Sequence, residues 1–67
     1  MGINELLHLA AELSTSAFQY ISEGNFAEAE ELECAADDII REVALKTGRS
    51  QYFVSAEVEE LMCEMVA

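Results

Sequence analysis

The chain has 67 residues, 52 % of them hydrophobic, and carries 14 acidic but only three basic side chains, for a formal net charge of −11. Phosphates and anionic lipids would repel such a chain, so we expect no direct contact with nucleic acid or with a membrane. A single domain this short buries only ~60 % of its unfolded surface. The apolar content therefore predicts a homodimer or a protein partner; the alternative is a compact monomer with an alanine-rich surface. The net charge favours a partner with a basic surface, or serves only solubility.

The start of the chain carries no recognisable targeting signal. It lacks the basic stretch and the cleavage site of a signal peptide, and Leu6 stands where a myristoylation signal needs Ser or Thr. No apolar run approaches the ~18 residues that span a membrane. Cys34 and Cys63 have no paired spacing, so we expect them to be buried small hydrophobes in a reduced, cytoplasmic protein.

A first helix is predicted from about residue 4 to residue 23, with Asn4 as its N-cap. Apolar residues recur through it at helical spacing, namely Leu6, Leu9, Leu13, Ala17 and Tyr20. Gly24 supplies the left-handed residue that ends helices, and Asn25 with Glu28 predicts a capping box for the next one. A turn this short predicts that the two helices run antiparallel.

A second helix is predicted from about residue 26 to 46, ended by Gly48. Its core side is expected to hold Ala29, Leu32, Ala36, Ile39 and Val43. Residues 49–54 are predicted to be a linker, and Ser55 to cap a shorter third helix at about 56–66. We therefore predict one all-α domain over residues 1–67: an antiparallel helical hairpin, with the third helix laid over it or donated to a second chain.

Seven residues around the turn form a recognisable pattern: Ala17, Tyr20, Gly24, Asn25, Phe26, Ala29 and Ala36. The pattern, over roughly residues 13 to 40, resembles a single tetratricopeptide repeat. The resemblance implies protein or peptide binding rather than catalysis. Four positions depart from the family: Leu13 replaces a Trp, Ser16 an apolar residue, Glu33 an aromatic residue and Arg41 the closing Pro. No second repeat follows, whereas a stable array needs about three.

Acidic residues crowd the second helix: Glu28, Glu30, Glu31, Glu33, Asp37, Asp38 and Glu42. Carboxylates one helical turn apart lie ~5–6 Å from each other, a spacing comparable with that of phosphates along a nucleic-acid strand. One hypothesis is therefore a nucleic-acid mimic that occupies a Lys/Arg groove of a partner. The alternative is a solvated face that keeps an apolar protein in solution.

Five aromatic residues are too many for so small a fold to bury, so one or two should anchor an interface. Phe18 and Tyr20 point roughly 160° apart on a helix, so one faces the core and the other faces outward or toward a second subunit. Together with the acids, these arguments predict a set of partner-binding residues: Phe18, Tyr20, Glu28, Glu31, Asp37, Asp38, Glu42, Tyr52 and Phe53.

The sequence gives little support for an active site or a metal site. Glu5 and His8 have the Glu-x-x-His spacing of di-iron carboxylate bundles, but with one His a site would need a second copy of the chain. The alternative is a surface His beside a first-turn Glu. The hydroxyls of residues 14–16 lack a base, and no glycine-rich phosphate loop occurs. We therefore expect no enzyme activity, no catalytic residues, no metal and no cofactor.

In size and charge the chain resembles small acidic inhibitors encoded by phages and plasmids, which include anti-CRISPR and other DNA-mimic proteins. The resemblance implies a stoichiometric inhibitor or sequestering factor of a host protein, whose own surface is basic and binds nucleic acid. Two alternatives stay open at this point. One is a helical-hairpin chaperone or adaptor for an amphipathic client helix, and the other is a dimeric di-iron carboxylate protein.

Overall fold

The protein is all-helical, as predicted, with three helices. They are α1 (Ile3–Ser22), α2 (Phe26–Thr47) and α3 (Gln51–Val66). The structure, a computed structural model, describes the backbone of residues 1–66 and the side chains of residues 1–65, and residue 67 of the predicted domain lies outside this range. Among these described helices, none has an 18-residue stretch apolar enough to cross a membrane.

The connection between α1 and α2 is a Schellman turn. Gly24 adopts a positive φ of 79°, its N–H donates to the Ile21 carbonyl at 3.0 Å, and the Asn25 N–H donates to the Tyr20 carbonyl at 2.8 Å. These two bonds satisfy carbonyls that the end of a helix leaves unpaired. Asn25 stands at the N-cap position of α2, but its side chain makes no capping hydrogen bond, so the predicted capping box with Glu28 is wrong.

The start of α1 also differs from the prediction. Gly2 occupies the N-cap position in extended conformation, and its carbonyl accepts the Leu6 N–H at 3.0 Å. Asn4, the predicted N-cap, lies inside the helix instead. The first hydrogen bond of α1 is therefore accepted by the Gly2 backbone carbonyl, and the helix begins without a side-chain cap.

Residues 49–54 are not a linker, because α3 begins at Gln51, five residues before the predicted start. Gly48 ends α2 with a positive φ of 70°, and Ser50 then acts as the cap: its Oγ accepts the Phe53 N–H at 3.2 Å. Arg49 fixes this corner, since its guanidinium lies 4.9 Å from the Phe53 ring centroid and 2.7 Å from a Glu57 oxygen. Ser55, the predicted cap, is therefore an interior residue of α3.

Replacing Ser50 with Ala removes this cap and is expected to lower the free energy of unfolding by about 1 kcal/mol. Urea denaturation followed by circular dichroism measures the change. Ser55→Ala is the matched control, because Ala is the better helix former at an interior position and stability should stay within about 0.5 kcal/mol. A larger loss for Ser55→Ala than for Ser50→Ala would contradict a helix start at Gln51.

The core lies where all three helices meet, and α1 contributes a wide apolar face that packs against both other helices. Buried residues of α1 occupy two adjacent rows: Leu6, Leu7, Ala10, Ala11 and Ala17. Leu9, Leu13 and Tyr20, predicted as core, are only partly buried. The two rows follow from the position of α1, which contacts both other helices.

Alanine dominates the buried residues. Six of the twelve are alanines, and the largest fully buried side chains are Val43 and Val54. Large apolar side chains lie outside instead: Met1, Phe18, Ile21, Phe26, Leu45, Tyr52, Phe53 and Met65. The chain exposes 4620 Å², whereas a compact monomer of this size exposes ~4200 Å². Much apolar surface therefore stays exposed to solvent.

Val43→Ala is expected to lower the free energy of unfolding by about 2 kcal/mol, since it removes two carbons at ~0.8 kcal/mol each and leaves a cavity. Val43 is 2 % exposed, whereas Leu45 in the same helix is 80 % exposed. Leu45→Ala should therefore change stability by less than about 0.5 kcal/mol. Equal losses of stability in Val43→Ala and Leu45→Ala, measured by urea denaturation, would contradict this division between core and surface.

Candidate functional site

A groove opens between α2 and α3, the pair of helices with the least mutual contact. Two adjoining depressions, of ≈ 430 Å³ and ≈ 340 Å³, share Asp37, Ile40 and Ser55, so they form one continuous channel, which we call the α2–α3 groove. The remaining lining residues are Ser14, Phe18, Glu33, Arg41, Gln51, Tyr52, Val58, Glu59, Met62 and Cys63.

The floor of the α2–α3 groove is apolar. Ile40 and Val58 are buried in the core and Met62 packs against it, yet all three line the groove. Along α3 the lining residues Tyr52, Ser55, Glu59 and Met62 recur every three or four positions, which places them on one helical face. That face is ~15 Å long at 1.5 Å per residue, or about three helical turns.

The charged groups of the groove are separated along its length. Glu33, Asp37 and Glu59 line the larger depression, and none of its lining side chains, all of them among the described residues, is basic. Arg41 lines the smaller depression beside Tyr52, and Asp37 lines both depressions. The groove is therefore acidic over most of its length and carries one cation near one end.

An exposed aromatic ring marks each end of the groove. Phe18, from α1, lines the larger depression and is 62 % exposed, while Tyr52, in the first turn of α3, lines the smaller one and is 91 % exposed. With Asp37 between them, three of the nine predicted partner-binding residues lie in this groove.

The other six predicted residues lie outside the groove. Tyr20 is partly buried, in contrast to Phe18, and Phe53 is half-exposed beneath Arg49. The four remaining acids, which we call the outer row, are exposed on α2: Glu28, Glu31, Asp38 and Glu42. Two of these lie near cations, Asp38 at 3.8 Å from Arg41 and Glu42 at 3.9 Å from Lys46.

Both cysteines are exposed, so the prediction of buried thiols is wrong. On α2 the buried residues include Ala36 and Ile40, and Cys34 lies ~200° around the helix from Ala36 at 100° per residue. Cys34 borders a shallow depression beside the outer row, whereas Cys63 lines the α2–α3 groove. One thiol therefore reports on the groove and the other on the surface outside it.

Both thiols should react with an alkylating reagent directly from the folded state, because neither needs unfolding to be reached. Because the reaction needs no unfolding, Val43→Ala should leave the alkylation rates of both thiols unchanged. Mass spectrometry measures these rates. If the thiols reacted only through unfolding, a loss of about 2 kcal/mol would raise the rates roughly 30-fold. Such an acceleration would contradict the exposed positions of Cys34 and Cys63.

Glu5 and His8, the residues with di-iron spacing, are both exposed on α1. His8 and Glu60 border a further depression between α1 and α3. Within one copy of the described chain, no group of three or more His, Cys, Asp or Glu side chains is placed to hold a metal ion. The alternative of a site built across two copies of the chain is not tested by this observation.

The sequence reasoning missed the groove floor and part of its rim, including Arg41, Glu59 and Met62. The sequence nevertheless contains a pattern that indicates the groove. With Ser50 taken as the cap, Tyr52 and Met62 fall on one face of a continuous helix. A third helix predicted to start at residue 56 leaves out Tyr52, so this face was not predicted.

Comparison with known proteins found no family model that matches this chain and no significant match to a curated protein or a solved structure.

Proposed function

We propose that this chain is a small, non-catalytic protein-binding module that takes a basic, amphipathic helical segment of a partner protein into the α2–α3 groove. One observation carries the proposal: a floor of Ile40, Val58 and Met62 lies between acidic side chains. Such a floor suits the apolar stripe of an amphipathic helix, and the acids suit Lys and Arg beside that stripe.

The dimensions of the groove favour a helix as the occupant. Three turns of an α-helix match its length of ~15 Å and present apolar side chains at i, i+3, i+4 and i+7 on one side. We further propose that α1 and α2 form an antiparallel hairpin, as their short connection requires. The occupant then takes the place of a fourth helix beside α2 and α3.

The charge of the chain supports a basic partner. Each of the three basic side chains already lies within 4 Å of an acid: Arg41 with Asp38, Lys46 with Glu42 and Arg49 with Glu57. A net charge of −11 then attracts a cationic segment over a long range and speeds its association. The proposed role is that of a stoichiometric inhibitor or sequestering factor, with a target whose basic surface contacts nucleic acid.

The outer row supports a second candidate, in which exposed acids on α2 mimic a nucleic-acid strand. Glu31 and Asp38 border one shallow depression on that side of the helix. The nearby Arg41 and Lys46 reduce the negative charge at Asp38 and Glu42. The two candidates use different acids, so charge variants separate them.

The predicted homodimer stays a prediction. Exposed rings such as Phe18 and Tyr52 favour self-association, whereas two chains of −11 repel each other. Light scattering at low and high salt measures which effect dominates, because salt screens the repulsion and leaves the apolar contact intact.

A synthetic peptide of ~14 residues, with Leu on one helical face and Lys on the other, tests the groove. Asp37→Asn combined with Glu59→Gln should weaken its binding roughly tenfold, measured by calorimetry, since two ion pairs at up to ~1 kcal/mol each are lost. Glu28→Gln combined with Glu31→Gln is the matched control, with the same charge change in the outer row, and should have less than about a twofold effect.

A second readout uses the two exposed thiols. The bound peptide should protect Cys63 from alkylation and leave Cys34 reactive, because only Cys63 lines the groove. A larger loss of affinity in the outer-row variant than in the groove variant, with no protection of Cys63, would move the binding surface to the outer row. No binding to the unmodified chain, beyond that of a scrambled peptide, would overturn the proposal.

A further inference from the structure

The charges that line the groove differ between its two ends. Glu33 and Glu59 line only the larger depression, Arg41 lines only the smaller one, and Asp37 lines both. Glu33 and Arg41 are eight positions apart on α2, or ~12 Å at 1.5 Å per residue. That separation exceeds the screening length of ~8 Å at physiological salt, so each end acts on its own nearest part of the occupant.

Arg41 is available to a ligand. Its guanidinium is 3.8 Å from the nearest Asp38 oxygen, which is beyond the 2.7–3.2 Å range typical of a hydrogen bond. By contrast, the Arg49 guanidinium donates to Glu57 at 2.7 Å and lies outside the groove. Arg41 is therefore a cation at the groove wall with unused donors and a half-exposed side chain.

We propose that the groove binds its helical occupant in one direction, with the occupant's N-terminal, basic turns beside Glu33 and Glu59 and its C-terminal carboxylate, or an acidic residue in its last turn, beside Arg41. This inference rests on the proposed function and adds the orientation and charge order of the partner segment. The partner chemistry is a helix that is basic at its start, apolar along one face and anionic at its end.

The backbone of the occupant supports the same direction. A helix carries partial positive charge at its N-terminus and partial negative charge at its C-terminus. The acidic end of the groove therefore favours the N-terminus, and Arg41 favours the C-terminus. In this direction the occupant runs parallel to α2, which passes from Glu33 to Arg41, and antiparallel to α3, which passes from Tyr52 to Cys63.

The first test compares two forms of one amphipathic peptide, with Lys in its first turns and either a free or an amidated C-terminus. The free carboxylate should bind the unmodified chain about threefold more tightly, as expected for one partly exposed charge contact. Arg41→Gln should abolish this difference, so that the free and the amidated peptide bind that variant with equal affinity. Lys46→Gln, which removes a cation of α2 outside the groove, should preserve the difference.

The second test reads the direction through Cys63. A peptide carrying a bromoacetyl group at its N-terminus should alkylate Cys63, forming a thioether as bromide leaves, and should react with Cys34 no faster than free bromoacetamide does. The same group at the C-terminus should not accelerate the reaction at Cys63. Mass spectrometry identifies the modified thiol.

The outcomes separate the two proposals. If the peptide binds, but amidation has equal effects on the unmodified chain and on Arg41→Gln, or the C-terminal reagent labels Cys63 faster, the directional inference is overturned and the groove remains a binding site. If neither peptide form binds the unmodified chain, the proposed function itself fails.

Discussion

The packing of α1 against both other helices is the constraint on which the groove depends. α1 contacts both neighbours, and α2 and α3 meet each other least. Helix length also limits the contact between α2 and α3, because α3 has 16 residues and α2 has 22. These lengths correspond to ~24 Å and ~33 Å. A short helix laid on two longer ones leaves part of their surface uncovered, and the α2–α3 groove is a part of that surface.

The alanine-rich core explains why so much apolar surface stays outside. Small side chains at the helix contacts allow the helix axes to come close together, but they occupy little volume, so rings such as Phe18 and Phe26 find no place inside. An exposed ring invites aggregation. The large negative charge opposes aggregation, and in the function we propose the same charge would favour a basic partner.

In the function we propose, folding and binding would be linked through the groove floor. Ile40 and Val58 belong to the core and also line the groove, so an occupant would cover core side chains that solvent now approaches. A ligand that binds only the folded chain raises its stability. A small domain with a modest core gains more from such a ligand, in proportion to its own stability, than a large domain does.

Local chemistry was enough to predict the helical class and the glycine positions that end α1 and α2, because a positive φ at Gly24 and Gly48 depends on the residue itself. It also selected Phe18, Asp37 and Tyr52 by residue type. Ser50 and Ser55 were equally good caps on local grounds, and the contacts of Val54 with the core favour the earlier start. That Phe18 and Tyr52 lie at opposite ends of one groove was decided only by the packing of three helices, since contacts between residues far apart in sequence leave no local pattern to read.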